Sequence, residues 1–180
     1  MTPVTVVGAG FAGCEAAWTL AQNGIPVTLW EMKPQKFSPA HHSPDFAELI
    51  CSNSFKASRL ESAAGLLKAE MERLGSLCVP CAKETAVAAG GALAVDRDRF
   101  SALVTEKIRN HPLITVREGE VTEIPDGNVI IATGPLTSEA LSAAIGELIS
   151  AEYLSFFDAA APIVEASSID MDKVFFAARY

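Results

Sequence analysis

The sequence predicts an α/β fold, a doubly wound parallel sheet. A strand, a tight glycine turn, a helix and a second strand fill the first 31 residues. Further along, a helical segment leads into a short β-branched strand, and "NVIIATGP" is an apolar run that ends at a glycine. Strands alternating with helices are the pattern of parallel crossovers.

The elements follow in order. Val4, Thr5, Val6 and Val7 form a β-branched run. Ala12, Ala16, Ala17, Leu20 and Ala21 then recur at helical spacing. Gly24 is placed to end that helix, and Pro26 keeps it from continuing into the strand "IPVTLWE". Residues 33–58 hold three prolines and two histidines and read as a long loop with a helical turn near "DFAEL". A loop of that length in a domain is usually functional or disordered. "SAAGLLKAEMERLGSL", from Ser62 to Leu77, reads as a helix. "AVAAGGALAV" reads as two strands around a Gly-Gly turn, and Asp96 is placed to cap a helix running through Phe100, Leu103, Val104 and Ile108. "ITVREGEVTEIP" suggests alternating strands, "NVIIATGP" a buried one, and the tail from Ser138 one more helix.

Composition sets limits. Hydrophobic residues make up 49% and charged residues 20%, the mix of a globular chain. No apolar run approaches the roughly 18 residues of a membrane span, and the N-terminus lacks signal-peptide features. The expected compartment is the cytoplasm, with neither membrane nor DNA as partner. The net charge is −8, yet residues 1–60 balance: Glu15, Glu31, Asp45 and Glu48 against Lys33, Lys36, Lys56 and Arg59. The segment from Lys33 to Arg59 is the only locally basic one, a hint of an anionic partner or simply a solvated surface. The chain stops at Arg179–Tyr180 directly after the apolar "VFFAA", which reads as an interruption of a longer protein.

Gly8, Gly10 and Gly13 in "GAGFAG", with Ala9, Phe11 and Ala12 between them, satisfy G-x-G-x-x-G. That pattern demands a tight turn, close approach to a pyrophosphate and close helix–strand packing. It follows a strand, opens a helix, and is followed by Glu31 at the end of the second strand, where a carboxylate accepts hydrogen bonds from ribose hydroxyls. The reading is a Rossmann-like dinucleotide site. FAD is favoured over NAD by the N-terminal position of the motif and by the Ala-Thr-Gly ending at Gly134, on fold-level analogy.

Cysteines give a second clue. Cys78 and Cys81 form a C-x-x-C beside Pro80 with no second pair for zinc, so it reads as coincidence, and Cys14 reads as core. Cys51 stands in "LICSNSF", at the lip of a polar loop. Neighbouring Ser52 and Asn53 could orient a reactive thiol, and a half-buried structural cysteine is the equal alternative on spacing alone. Adjacent His41 and His42 point apart, so no shared metal is expected. They read as contacts to a phosphate or ring, or as surface histidines.

"VVGAGFAGCEAAWTLAQNGIPVTLWEM", "PAHHSPDFAELICSNSF", "AGGALAVDRDRF", "VIIATGPLTS" and "FDAAAPIVEASSIDMDKV" together resemble the folate- and FAD-dependent tRNA (uracil-5-)-methyltransferases, called TrmFO. The resemblance covers the whole chain in order. It implies an FAD-binding domain at 1–137, with 33–58 as a catalytic loop, and the start of an inserted α+β region at 138–180. It also implies methylation of uridine C5 at position 54, in the T-loop of tRNA. The carbon donor would be 5,10-methylenetetrahydrofolate, with NADPH or NADH restoring the flavin. Cys51 matches the family's catalytic-loop cysteine, Gly8, Gly10, Gly13 and Glu31 match the FAD fingerprint, and His41, His42, Ser52 and Asn53 match as pocket residues. Members of that family are well over twice this length, so the resemblance implies a fragment that lacks a second catalytic cysteine and much of the tRNA surface. The related wobble-uridine tRNA-modifying flavoproteins share the glycine motif without the CSNS loop. They and a generic FAD- or NAD-dependent oxidoreductase are the alternatives.

Overall fold

A computed structural model describes residues 2–150 and 165–174. Strand β1 (Val4–Val7), helix α1 (Phe11–Gln22) and strand β2 (Val27–Glu31) open the chain as the sequence predicts. Gly24 lies just beyond α1 with φ of +76°, where its amide bonds the carbonyl of Ala21. Strand β3 (Ser54–Ala57), helices α2 (Ala63–Arg73) and α3 (Cys78–Glu84), strands β4 (Ala86–Val87) and β5 (Ala92–Val95), and helix α4 (Arg97–Arg109) follow. Strands β6 (Ile114–Glu118) and β7 (Val129–Ile131) and helix α5 (Glu139–Ile149) complete the described strands and α-helices.

The main sheet is four-stranded and parallel, in the order β6-β2-β1-β7. The chain builds outward from β1 to β2 and β6, then returns to the far side of β1 for β7. That reversal makes the carboxyl ends of β1 and β7 the place where such folds bind ligands. Helices α1 and α4 flank the sheet. Val6, Leu29, Ala17, Phe100, Val104 and Ile108 are fully buried between them, and Phe100 stacks on Phe11 with centroids 5.5 Å apart. Each such aliphatic or aromatic side chain contributes roughly 1.5–3 kcal/mol. Asp96 caps α4 by accepting from the amide of Arg99, and Ser138 caps α5 through the amide of Leu141.

A small antiparallel sheet, β3-β5-β4, stands beside the first. The Lys68 ammonium fastens α2 to it by donating to the carbonyls of Phe55, Ala57 and Ala64 at 2.7–2.8 Å. Glu15 of α1 does the same for α3. Its carboxylate accepts from the amides of Leu77 and Cys78 at 3.0 and 2.9 Å, filling an N-terminus whose own cap residue has no side-chain bond.

Several expectations are corrected. "DFAEL" forms bends, not a helical turn, because the amides of Phe46 and Ala47 bond Thr105 Oγ1 and the Ala9 carbonyl instead of their own helix. The expected loop 33–58 ends in a strand, β3. The expected helix over 62–77 stops at Arg73, where Gly75 turns the chain with φ of +83°. The C-x-x-C then opens α3, with Pro80 in the first turn, where a missing N–H costs nothing. "ITVREGEVTEIP" holds one strand only, because Gly119 (φ +144°) takes the chain across the end of β2. "NVIIATGP" is not buried: β7 is an edge strand among the described residues, and Ile130 and Ile131 are each 37% exposed. Residues 151–164 and 175–180, which include all of "YLSFFDAAAPIV" and the final "FFAARY", lie outside the described residues.

Candidate functional site

A cavity of about 270 Å³ opens at the carboxyl ends of β1, β2 and β7. Its floor is the glycine turn, Gly8 to Ala12, and one wall is the turn Ala132–Gly134 that follows β7. Glu31, Lys33, His41, Glu48 and Glu120 also line it, with the exposed Ile50 at its rim.

The glycines of the turn have separate reasons to be glycine. A side chain on Gly8, which has φ of +97°, would stand 2.8 Å from the Ala132 carbonyl oxygen. A Cβ on Gly13 would stand 1.7 Å from the Gly8 carbonyl oxygen, so α1 could not pack against the turn. These two are fixed by packing within the chain. Gly10 is different: a Cβ there would meet no protein atom within 4 Å, and the residue lines the cavity. Beyond the N-cap position it fills, no contact among the described residues demands a glycine there, whereas a ligand backed closely against the turn does. Helix α1 begins at the same place, with no side-chain cap and no acidic residue in its first turn. An uncapped helix start of this kind receives anions.

Glu31 is 7% exposed. Its Oε2 accepts from the Ala9 amide at 2.8 Å and its Oε1 from the Lys33 amide at 3.0 Å. Each carboxylate oxygen retains acceptor capacity toward the cavity. Lys33, which the sequence reading passed over, is 4% exposed. Its ammonium donates to the carbonyls of Ser43 and Asp45 at 3.0 and 2.5 Å and pairs with Glu48 at 3.4 Å. Glu48 Oε1 also accepts from the amides of His42 and Ser43. Burial works against the charge on Glu48, but those amides and the Lys33 ammonium outweigh it and hold the carboxyl below its ordinary range. The charge signal that marks this cluster is an acid and a base fifteen residues apart in a loop otherwise rich in proline.

The structure separates the residues expected to share a pocket. Gly8, Ala9, Gly10, Phe11, Ala12, Glu31, Gly134 and His41 line the cavity; Gly13 lies behind it as a packing residue. His41 Nδ1 is 2.5 Å from Ser38 Oγ, and burial, with the Lys33 charge, lowers its pKa below the ordinary histidine value. His42 is exposed and is not among the residues that line the cavity. Asn53 donates to the Val95 carbonyl at 3.0 Å through its side chain and accepts from the Val95 amide at 2.9 Å through its own carbonyl, so it joins the loop to β5. Ser52 Oγ accepts from the Ser54 amide. Cys51 is exposed, one residue beyond the rim residue Ile50. Cys14, Cys78 and Cys81 are buried, and burial raises all three thiol pKa values, that of Cys81 to about 11.

Three comparisons place the chain among known proteins. A relative from Geotalea uraniireducens, named methylenetetrahydrofolate–tRNA-(uracil-5-)-methyltransferase TrmFO, is 61% identical over 178 residues, 98% of this chain and 41% of that protein. The protein of the same name from Bacillus subtilis is 59% identical over 177 residues, with the same shares of 98% and 41%. The chain therefore spans about 41% of the length of the curated relatives it matches. Among solved structures, that of Aquifex aeolicus GidA in the form II crystal superposes with a TM-score of 0.59 at 17% identity, over 74% of this chain and 25% of that one. It shares the parallel sheet with flanking helices. The model of the family described as glucose inhibited division protein A matches residues 3–180, and the chain belongs to that family.

Proposed function

We propose that the chain is the cofactor-binding portion of a flavoenzyme that methylates C5 of a T-loop uridine in tRNA. FAD is its cofactor, 5,10-methylenetetrahydrofolate its carbon source, and NADPH or NADH its reductant. The observation that carries the reading is Gly10, a glycine required by no contact among the described residues and set in the cavity at the start of α1, which has no side-chain cap. The substrate half of the reading is supported by the relatives named as tRNA methyltransferases, about 60% identical across 98% of this chain.

The residues present suit a dinucleotide. The amides at the start of α1 receive the pyrophosphate. Glu31 accepts from a ribose hydroxyl while keeping the amides of Ala9 and Lys33. The Ala132–Gly134 turn, held against β1 by the bond from the Ala132 amide to the Val7 carbonyl, closes the opposite side. When bound, reduced flavin supplies the carrier that passes the one-carbon unit from folate to base. Cys51, exposed and next in the chain to the lining residue Ile50, is the thiol this reading assigns to the base. A thiolate adding to C6 of uracil would make C5 nucleophilic, and handling of the transferred carbon is the other role open to it. Residues 1–137 form the dinucleotide unit in this reading and 138–180 begin a second region, whose Ser138 and Leu141 also contribute to the cavity wall. Four free cysteines and a tRNA substrate suit the cytoplasm.

The test is Cys51→Ala in the full-length parent. Methyl transfer to tRNA is expected to vanish while flavin remains bound. Undiminished turnover would remove this thiol from the mechanism.

A further inference from the structure

The loop that leads to Cys51 is tied to the glycine turn by a closed ring of hydrogen bonds. From Ala9 the ring runs through its amide to Glu31 Oε2 (2.8 Å), and from Glu31 Oε1 to the Lys33 amide (3.0 Å). The Lys33 ammonium continues it to the carbonyls of Ser43 and Asp45 and to Glu48. It closes where the Ala47 amide donates to the Ala9 carbonyl at 2.9 Å. Ala9 is thus gripped at both its amide and its carbonyl, once from β2 and once from the loop. Among the described residues every partner of the Lys33 side chain belongs to residues 43–48, and Cys51 follows Glu48 by three positions.

We propose that Lys33 is a positioning residue: its ammonium holds the Ser43–Glu48 loop, and with it Cys51, in register with the dinucleotide turn. The inference rests on reading the cavity as the cofactor site and Cys51 as the working thiol. A buried ammonium must keep its acceptors, since leaving it unpaired exposes an uncompensated charge to a low-dielectric interior. Its carbonyl partners are backbone atoms, so satisfying the charge fixes the path of the main chain. The ring also passes information. A ribose that shares the Glu31 carboxylate touches the group holding the Lys33 amide, and a ligand pressed on the turn touches Ala9, which holds Ala47. Occupying the cavity therefore tightens the segment that ends at Cys51.

Hydrogen exchange on the 180-residue chain tests this, with FAD as the probe and flavin fluorescence reporting binding separately. In Lys33→Met, the amides of Phe46 and Ala47 are expected to exchange about tenfold faster or more, while those of α1 and α4 keep their rates. Cys14, Cys78 and Cys81 should stay unreactive, which marks the effect as local. FAD should slow the Phe46 and Ala47 amides in the native chain and in Lys33→Arg, and leave them unchanged in Lys33→Met. Equal exchange in Lys33→Met and the native chain would overturn the proposal. Should all four thiols of Lys33→Met react, Lys33→Gln takes its place; the same acceleration at Phe46 and Ala47 is expected, and native exchange in that variant would overturn the proposal equally. Absence of flavin binding to the native chain would count against the cofactor reading, while the cofactor-free comparison still decides the role of Lys33.

Discussion

The backbone amide of Ala9 donates to the Glu31 carboxylate at 2.8 Å. This bond joins the turn after β1 to the end of β2, the two segments that a dinucleotide must touch together. It means that Glu31 has a structural duty before any ligand arrives. Removing its carboxylate disturbs both the shape of the turn and the acceptor for a ribose.

Glu31→Ala is therefore expected to lower FAD affinity by about 10- to 100-fold, since hydrogen bonds to a charged group contribute roughly 1.5–3 kcal/mol. Glu31→Gln should lose less, because the amide oxygen still accepts from Ala9. Titration of flavin fluorescence measures both. Equal affinity in Glu31→Ala and the native chain would place the ribose elsewhere.

The two glycines at the start of α1 should part company. Gly13→Ala puts a methyl group 1.7 Å from the Gly8 carbonyl oxygen and is expected to cost folding, read as loss of the cooperative transition in urea. Gly10→Ala meets no atom within 4 Å, so stability should change by about 1 kcal/mol or less while FAD affinity falls. A stable Gly10→Ala chain with native affinity would contradict the close approach inferred here.

Thiol chemistry should single out one cysteine. Cys51 is exposed, whereas Cys14, Cys78 and Cys81 are buried with thiol pKa values raised by burial. A chromogenic disulfide reagent at neutral pH is expected to titrate one group rapidly and four in denaturant. Cys51→Ser should abolish the rapid phase. Fast reaction of a second thiol would show that α1 or α3 opens readily.

His41 should make stability depend on pH. Its folded pKa is lowered by burial, so the unfolded chain binds the proton more readily. Stability from the neutral ring is fully present above the ordinary histidine value, near 6.5, and is lost as pH falls from there through the folded pKa. His41→Gln should flatten the dependence of the urea midpoint on pH below about 6.5. An identical slope in the variant would place the dependence on other groups.

The parts of this molecule legible in its sequence are those where one residue answers a local demand. Gly8, Gly13 and Gly24 answer backbone geometry, and Asp96 and Ser138 answer helix starts, so spacing alone locates them. The rest depends on partners far along the chain. Lys33 reads as one charge in a polar loop until Ser43, Asp45 and Glu48 fold around it. Asn53 reads as a neighbour for Cys51, yet it pairs with Val95, forty-two residues away. The C-x-x-C beside Pro80 reads as coincidence until the fold shows that it opens α3, with Pro80 in the first turn. "NVIIATGP" reads as buried from its apolar content, but exposure is decided by which strands flank it.

The most direct test of the cofactor reading is the visible spectrum of this chain after incubation with FAD and desalting. The account predicts a flavin band that travels with the protein at one cofactor per chain and is much reduced in Glu31→Ala. A chain that emerges colourless, with the helical and strand content of the native fold by circular dichroism, would contradict it.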